Sequence, residues 1–218
     1  MEKRPGREGR GEAAAGNAAG GAAEELGYGV LLRLPGAGAS IASFGCYSAL
    51  ESSCGLWIAS LLVLARGVGE AQAASMVALF YMGITAGRFL AGVVADRVAG
   101  PQMIRIGQGV IAVGLAALIA GGRDVAALSV AIALIGLGCA PIYPSIVALT
   151  PSRFGEAASQ GMVSLQMACA YVGSTFFPPM CALVVGTGGA ALRPWLYAAV
   201  LAAMFVLAEL ANSRCCAV

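Results

Sequence analysis

Residues 41–65 read IASFGCYSALESSCGLWIASLLVLA, and Glu51 is the single charged side chain in this stretch. A transmembrane α-helix needs about 20 consecutive apolar residues, whereas a barrel strand alternates apolar and polar residues over about 10. The length and the continuous apolar character of the stretch therefore predict a helix that crosses a membrane. Glu51 lies near its middle, which corresponds to the centre of the bilayer.

Five further apolar runs follow, separated by short segments with glycine, proline and charged residues. They occupy residues 71–95, 104–121, 125–149, 157–185 and 191–212. The chain of 218 residues is 59% hydrophobic and 11% charged, against a charged share of roughly 25% in soluble domains. The sequence therefore predicts an all-α integral membrane protein with six transmembrane helices within residues 41–213.

The two ends of the chain differ from this bundle. Residues 1–26 are rich in Ala, Gly, Glu and Arg, and residues 27–40 are too short and too rich in glycine to span a bilayer. We expect residues 1–40 to form a disordered cytoplasmic tail or an interdomain linker, with an interfacial lead-in to the first helix. Residues 214–218 would form a second cytoplasmic tail.

The distribution of lysine and arginine predicts the orientation of the bundle. If the N-terminus is cytoplasmic, nine of these bases lie in inside segments and three lie in outside loops. This bias satisfies the positive-inside rule. Both termini are therefore expected on the cytoplasmic side. The three outside bases are Arg66, Arg123 and Arg193.

The composition excludes several kinds of chemistry. The sequence has no histidine and no C-x-x-C pair among its seven cysteines, which removes the common zinc sites and histidine-assisted nucleophiles. Asp96 and Asp124 lie at loop edges on opposite membrane faces, so they cannot form a catalytic pair. The net charge is +2 and acidic residues are interleaved with the basic ones, so the sequence has no clustered basic patch of the kind that binds nucleic acid. We expect a protein that is not an enzyme, with no cofactor, no metal and no nucleic-acid partner.

Glu51 is the most informative side chain. A carboxylate at the bilayer centre costs roughly 2.5 to 3.5 kcal/mol, so it should face a cavity or a partner. Tyr47 lies one turn away on the same helix face, and Trp57 is displaced by about 120° from that face. Either Glu51 and Tyr47 form a solute or proton site flanked by Trp57, or Glu51 is a structural carboxyl group bonded to a neighbouring helix and Trp57 is packing.

Prolines interrupt the fourth and fifth runs. Pro141 and Pro144 lie in the fourth run, and the pair at 178–179 breaks the fifth. A proline leaves the carbonyl four residues earlier without its helical partner, and transporters place solute groups on such discontinuous helices. Tyr143 and Gln166 are therefore candidate solute contacts, while a kink that serves packing alone is the alternative.

The end of the second run carries GRFLAGVVADRVAG, residues 87–100. This segment resembles the G-x-x-x-D-R-x-G signature of the major facilitator superfamily, which lies between the second and third helices of a six-helix half. The resemblance implies that Gly92 permits close helix contact and that Asp96 and Arg97 form charge-assisted bonds across a cytoplasmic gate. Arg88 belongs to the same segment. Like Glu209 in the last run, it can reach the interface, which favours a structural role over solute binding.

Two further segments look like the C-terminal half of fucose-permease-like facilitators, a branch that includes sugar transporters. They are the Y-x-x-x-E-x-x-x-G-x-W helix of residues 47–57 and the APIYP segment of residues 140–144. The resemblance covers residues 41–213 and implies one half of the fold, with a 3+3 inverted repeat. It implies alternating-access transport of a small polar solute, with sugars as one class and proton coupling as an option. The alternative is a truncated or interaction subunit of the membrane that does not transport.

A single six-helix bundle has no opposing wall for a solute pathway. We expect the helix faces that carry Glu51, Tyr143 and Gln166 to be covered by a second bundle, and lipid to surround the rest. That bundle would come from a homodimer, a separate N-terminal half, or a longer chain. Cys215 and Cys216 directly follow the last run, a position where reversible palmitoylation occurs.

Overall fold

A computed structural model describes residues 27–95 and 97–215, and the side chains at 184–188 are excluded from the description. The predicted tail at 1–26, the gate residue Asp96 and the lipidation candidate Cys216 lie outside the described residues. The described part is helical, with no strand. Its helices are α1 (Tyr28–Leu31), α2 (Ala37–Arg66), α3 (Glu70–Val94), α4 (Gly100–Ala120), α5 (Val125–Cys139), α6 (Ile142–Ala148), α7 (Thr150–Phe154), α8 (Glu156–Gly188) and α9 (Arg193–Cys215).

The lengths of these helices confirm the predicted all-α membrane architecture. Five helical segments in the described part are long and apolar enough to cross a membrane: Ala37–Arg66, Glu70–Val94, Gly100–Ala120, Val125–Ala148 and Ala190–Cys215. The 33-residue helix α8 is the sixth long element. Successive long helices run in opposite directions. We call one end of the bundle the Ala37 end, where α2, α4 and α8 begin, and the other the Arg66 end, where α2 finishes.

Two predicted helix boundaries were wrong. The first long helix begins at Ala37, so part of the expected interfacial lead-in belongs to the helix. Gly36, with φ of 78°, makes the sharp turn that allows this early start. The fifth run is continuous through Pro178 and Pro179. In membrane helices, neighbouring groups can satisfy the backbone that a proline frees. The fourth run does break as predicted, because α5 ends at Cys139 and α6 begins at Ile142.

Glycines set the closest helix contacts. Helix α2 packs most extensively on α8, and α5 packs on both α3 and α4. At Gly87 of α3, an added Cβ would lie 2.8 Å from the carbonyl oxygen of Leu137 in α5. Small residues allow such close approach between membrane helices. The Gly87 contact fixes the part of α3 that carries Arg88 against the broken α5–α6 segment.

Candidate functional site

Glu51 and Arg88 form an ion pair between α2 and α3. Glu51 lies fourteen residues into the 30-residue helix α2, which is about 21 Å along the helix axis. Its Oε1 is 4.0 Å from Nη2 of Arg88, and 25% of the Glu51 side chain and 59% of the Arg88 side chain are exposed. The carboxylate at mid-depth therefore has a cationic partner on the next helix, and both groups remain accessible.

Tyr47 lies on the inner side of this pair. Its side chain is 2% exposed, and its ring stacks on that of Phe44 with the centroids 6.1 Å apart. Glu51, Arg88 and Cys139 are close enough to the Tyr47 hydroxyl to interact with it electrostatically. Among the described residues this hydroxyl has no partner that meets hydrogen-bond geometry. Tyr47 thus places a buried polar group next to Glu51, but it does not line an open surface.

Trp57 connects three helices near the Arg66 half of α2. Its indole N–H donates a hydrogen bond of 2.9 Å to the carbonyl oxygen of Pro178 in α8. The guanidinium of Arg193, at the start of α9, lies 4.8 Å from the centre of the indole ring. These contacts give Trp57 a packing role, and its predicted contact with a solute stays a prediction.

Gln166 is fully buried, so the expectation that it lies on an exposed helix face was wrong. Its amide Nε2 donates a 3.0 Å hydrogen bond to the Ser40 hydroxyl. Its Oε1 accepts one of 3.2 Å from the Thr150 hydroxyl. Burial makes both bonds necessary, because an unpaired amide inside the bundle is costly. Gln166 therefore links α2, α7 and α8 in the interior.

Tyr143 lies at the start of α6, next to the helix break. It is 38% exposed, and its ring centre is 5.3 Å from that of Phe44. Its hydroxyl contacts the Met167 sulfur at 3.9 Å, and a thioether is a weak acceptor. Tyr143 therefore combines a packed ring with a hydroxyl that is only weakly bound.

A cavity of about 780 Å³ opens at the Ala37 end, between the end of α3, the start of α4 and α6. It brings together three residues predicted from two motifs, namely Arg88 and Gly92 of the gate segment and Tyr143 of the fourth run. Ser145 adds a hydroxyl to its lining, and apolar side chains such as Met103 and Leu149 form much of the remainder. One predicted solute contact and two residues of the gate segment thus line the same cavity.

The gate segment is only partly described, because Asp96 is outside the description. Gly92 and Arg97 are exposed. A Cβ added at Gly92 would have no described atom within 4 Å. Within the described chain, the close contact that the resemblance implies for Gly92 is made instead by Gly87. The gating roles of Gly92, Asp96 and Arg97 stay predictions.

Sequence reasoning missed a tight ion pair at the Ala37 end. Arg105 of α4 donates from Nε and Nη2 to the two carboxylate oxygens of Glu209 in α9, both at 2.6 Å. This pair gives Glu209 a structural contact between two helices. The pair could have been anticipated from the predicted topology, because the start of α4 and the end of α9 lie at the same end of the bundle.

Arg193 was assigned to an outside loop, but it is the first residue of α9 and is 3% exposed. Its Nη1 donates to the carbonyl oxygen of Trp57 at 3.4 Å. Cys215, the other lipidation candidate, is half-buried, and its sulfur lies 3.5 Å from the Pro35 carbonyl oxygen. Palmitoylation of this cysteine stays a prediction.

The fold and the site define a class of protein, a multi-pass helical membrane protein with paired charges next to a cavity. The chain belongs to the Major Facilitator Superfamily, because a profile of that family matches residues 37–212, most of its length. No curated protein sequence matches the chain.

Solved transporters share its fold. The POT family transporter PepTSo has a TM-score of 0.72 and 20% identity, and the match covers 82% of this chain and 37% of that one. The superfamily transporter FucP in its outward conformation has a TM-score of 0.70 and 18% identity, and the match covers 87% of this chain and 46% of that one. A variant of FucP, the E. coli fucose:proton symporter, has a TM-score of 0.70 and 19% identity, and the match covers 87% of this chain and 47% of that one. The chain therefore spans less than half the length of the transporters it resembles.

Proposed function

We propose that this chain supplies one six-helix half of a transporter that moves a small polar solute across a membrane by alternating access. The observation that carries the proposal is the Glu51–Arg88 pair at 4.0 Å, which lies at mid-depth of an apolar bundle and borders a cavity. Ionisable groups at such depth in membrane proteins mark solute, ion or proton pathways by default. Sugars belong to the candidate solutes because the fold resembles that of a fucose:proton symporter.

In this proposal Glu51 binds the solute or carries a coupling proton, with Tyr47 as its buried neighbour. Tyr143 contributes a hydroxyl from the cavity wall. Gly92, Asp96 and Arg97 form the gate and shift the balance between inward-open and outward-open states, with both termini in the cytoplasm. A cysteine placed at position 99 should then be labelled from the cytoplasmic side, and labelling from the outside alone would contradict this orientation.

A second bundle is part of the proposal. More than half of the Arg88 side chain is exposed, at 59%, and a cation left in hydrocarbon is costly. A facing bundle would enclose this surface in a hydrated pathway. We expect the protein in nanodiscs to be a dimer or to co-purify with a hydrophobic partner.

Uptake into proteoliposomes tests the proposal. The full chain is reconstituted alone and together with any co-purifying partner, and uptake of a panel of labelled sugars, amino acids and carboxylates is measured with and without a proton gradient. We expect saturable uptake only from the two-bundle assembly. Saturable uptake by a monomer of measured mass would overturn the two-bundle argument, and an inert assembly would favour a non-transporting membrane subunit.

A further inference from the structure

The cavity at the Ala37 end combines one cation with a largely apolar wall. Among the described residues that line it, Arg88 is the single charged side chain, and Tyr143 and Ser145 supply hydroxyl groups. A neutral sugar carries hydroxyl groups on most sides, and each one buried without a partner costs free energy. The part of the lining that this chain supplies offers few partners for them. It is better matched by an apolar body that carries one anionic group.

The Arg88 guanidinium is available for such a group. Its described ion pair is a single 4.0 Å contact, and 59% of the side chain is exposed. A contact of this length is not a hydrogen bond, so it leaves N–H groups of the guanidinium available to a competing anion. Guanidinium presents a planar fork of N–H donors that binds a carboxylate at two points.

A neutral donor lines the cavity from another helix, α6. The Tyr143 hydroxyl has only the Met167 sulfur, at 3.9 Å, as its hydrogen-bond partner in the described structure. An oxyanion is a far better acceptor than a thioether. The cavity volume of about 780 Å³ accommodates a small organic molecule.

We propose that the solute is a small organic anion, a carboxylate on an apolar body, and that Arg88 binds the carboxylate. The inference rests on the proposed transport function and names its solute class. Because Glu51 competes for the same guanidinium, the two carboxylates oppose each other at Arg88. Removing the charge of Glu51 should therefore strengthen anion binding, whereas removing the charge of Arg88 should weaken it.

Calorimetric binding of benzoate and its neutral analogue benzamide tests this inference. The full chain is used as it purifies, in nanodiscs of phosphatidylcholine. We expect benzoate to bind and benzamide not to bind over the same concentration range. Arg88→Gln should weaken benzoate binding at least tenfold, Arg88→Lys should weaken it less, and Glu51→Gln should strengthen it several-fold. Arg105→Gln removes an equal charge outside the cavity and should change nothing.

Equal binding of both probes, or a benzoate affinity unchanged in both Arg88 variants, would overturn the inference. Should Arg88→Gln fail to fold by circular dichroism and gel filtration, Arg88→Lys and Glu51→Gln carry the test. Loss of benzoate binding when phosphatidylglycerol is added would identify an anionic lipid headgroup as the occupant and overturn the solute assignment.

The two proposals fail in different ways. Benzoate binding that depends on Arg88, without uptake by any assembly, would support this inference and remove the transport function. Uptake of neutral sugars without benzoate binding would support the transport function and remove this inference.

Discussion

The two ion pairs found in the described chain differ in position and in tightness. Arg105 and Glu209 join α4 to α9 near the ends of both helices, through two bonds of 2.6 Å. Arg88 and Glu51 join α3 to α2 at mid-depth through one contact of 4.0 Å. The pair nearer water is thus the tighter one, although the attraction between opposite charges is stronger where the surroundings are apolar.

This difference separates a structural contact from a site that can exchange partners. A bidentate guanidinium–carboxylate pair fixes the relative position of two helices. A single contact of 4.0 Å leaves donors on the guanidinium and acceptors on the carboxylate available to bind a solute or a proton. The loose pair also borders the cavity, because Arg88 lines it, and Arg105 is not among its lining residues.

Disrupting the helix contact next to Arg88 should have the largest effect. In Gly87→Leu the new side chain would meet Ala140 Cβ, 2.5 Å from the position of an added Cβ, and the Leu137 carbonyl oxygen. Overpacking of this kind costs about 1 to 3 kcal/mol. We expect a lower melting temperature in detergent by circular dichroism, together with loss of uptake because Arg88 moves away from Glu51.

The matched control is Gly92→Ala on the same helix. An added Cβ at Gly92 has no described atom within 4 Å, and alanine favours a helix over glycine, so the melting temperature should not fall below that of the wild type. If Gly87→Leu melted like the wild type, the close approach of α3 and α5 would not position Arg88.

Breaking the loose pair of Glu51 and Arg88 should have the next largest effect. This effect should be seen in uptake and not in stability. Glu51→Gln keeps the shape of the side chain and removes its charge. In the proposed function the carboxylate binds the solute or carries the coupling proton, which the neutral amide cannot do, so the uptake rate should fall at least tenfold. The melting temperature should change little, because the pair is a single 4.0 Å contact. Unchanged uptake and unchanged dependence on the proton gradient would assign Glu51 a purely structural role.

Breaking the tight pair should have the smallest effect on uptake. Glu209→Gln removes the same charge as Glu51→Gln, but from the Ala37 end and outside the cavity. Uptake assayed in parallel should stay within about twofold of the wild type, because exposed ion pairs contribute little. A loss of uptake as large as that of Glu51→Gln would remove the functional distinction between the two pairs.

Much of the fold could be predicted from the sequence because the signals are local. A run of apolar residues long enough for a bilayer defines a helix wherever it occurs. Prolines 141 and 144 correctly predicted the break in the fourth run. The prolines at 178 and 179 misled, because whether a proline breaks a membrane helix depends on the groups that pack around it, and the local sequence does not contain that information.

The sequence by itself determined the six apolar runs, the depth of Glu51 and the resemblance to one family. Only the tertiary structure decided that Arg88, 37 residues away, is the partner of Glu51, that Gln166 is inside the bundle, and that Arg193 covers Trp57. The physical reason is that a membrane helix is apolar on all sides. Its periodicity shows which residues share a face, but the face that meets a neighbouring helix is set by close packing at small residues such as Gly87.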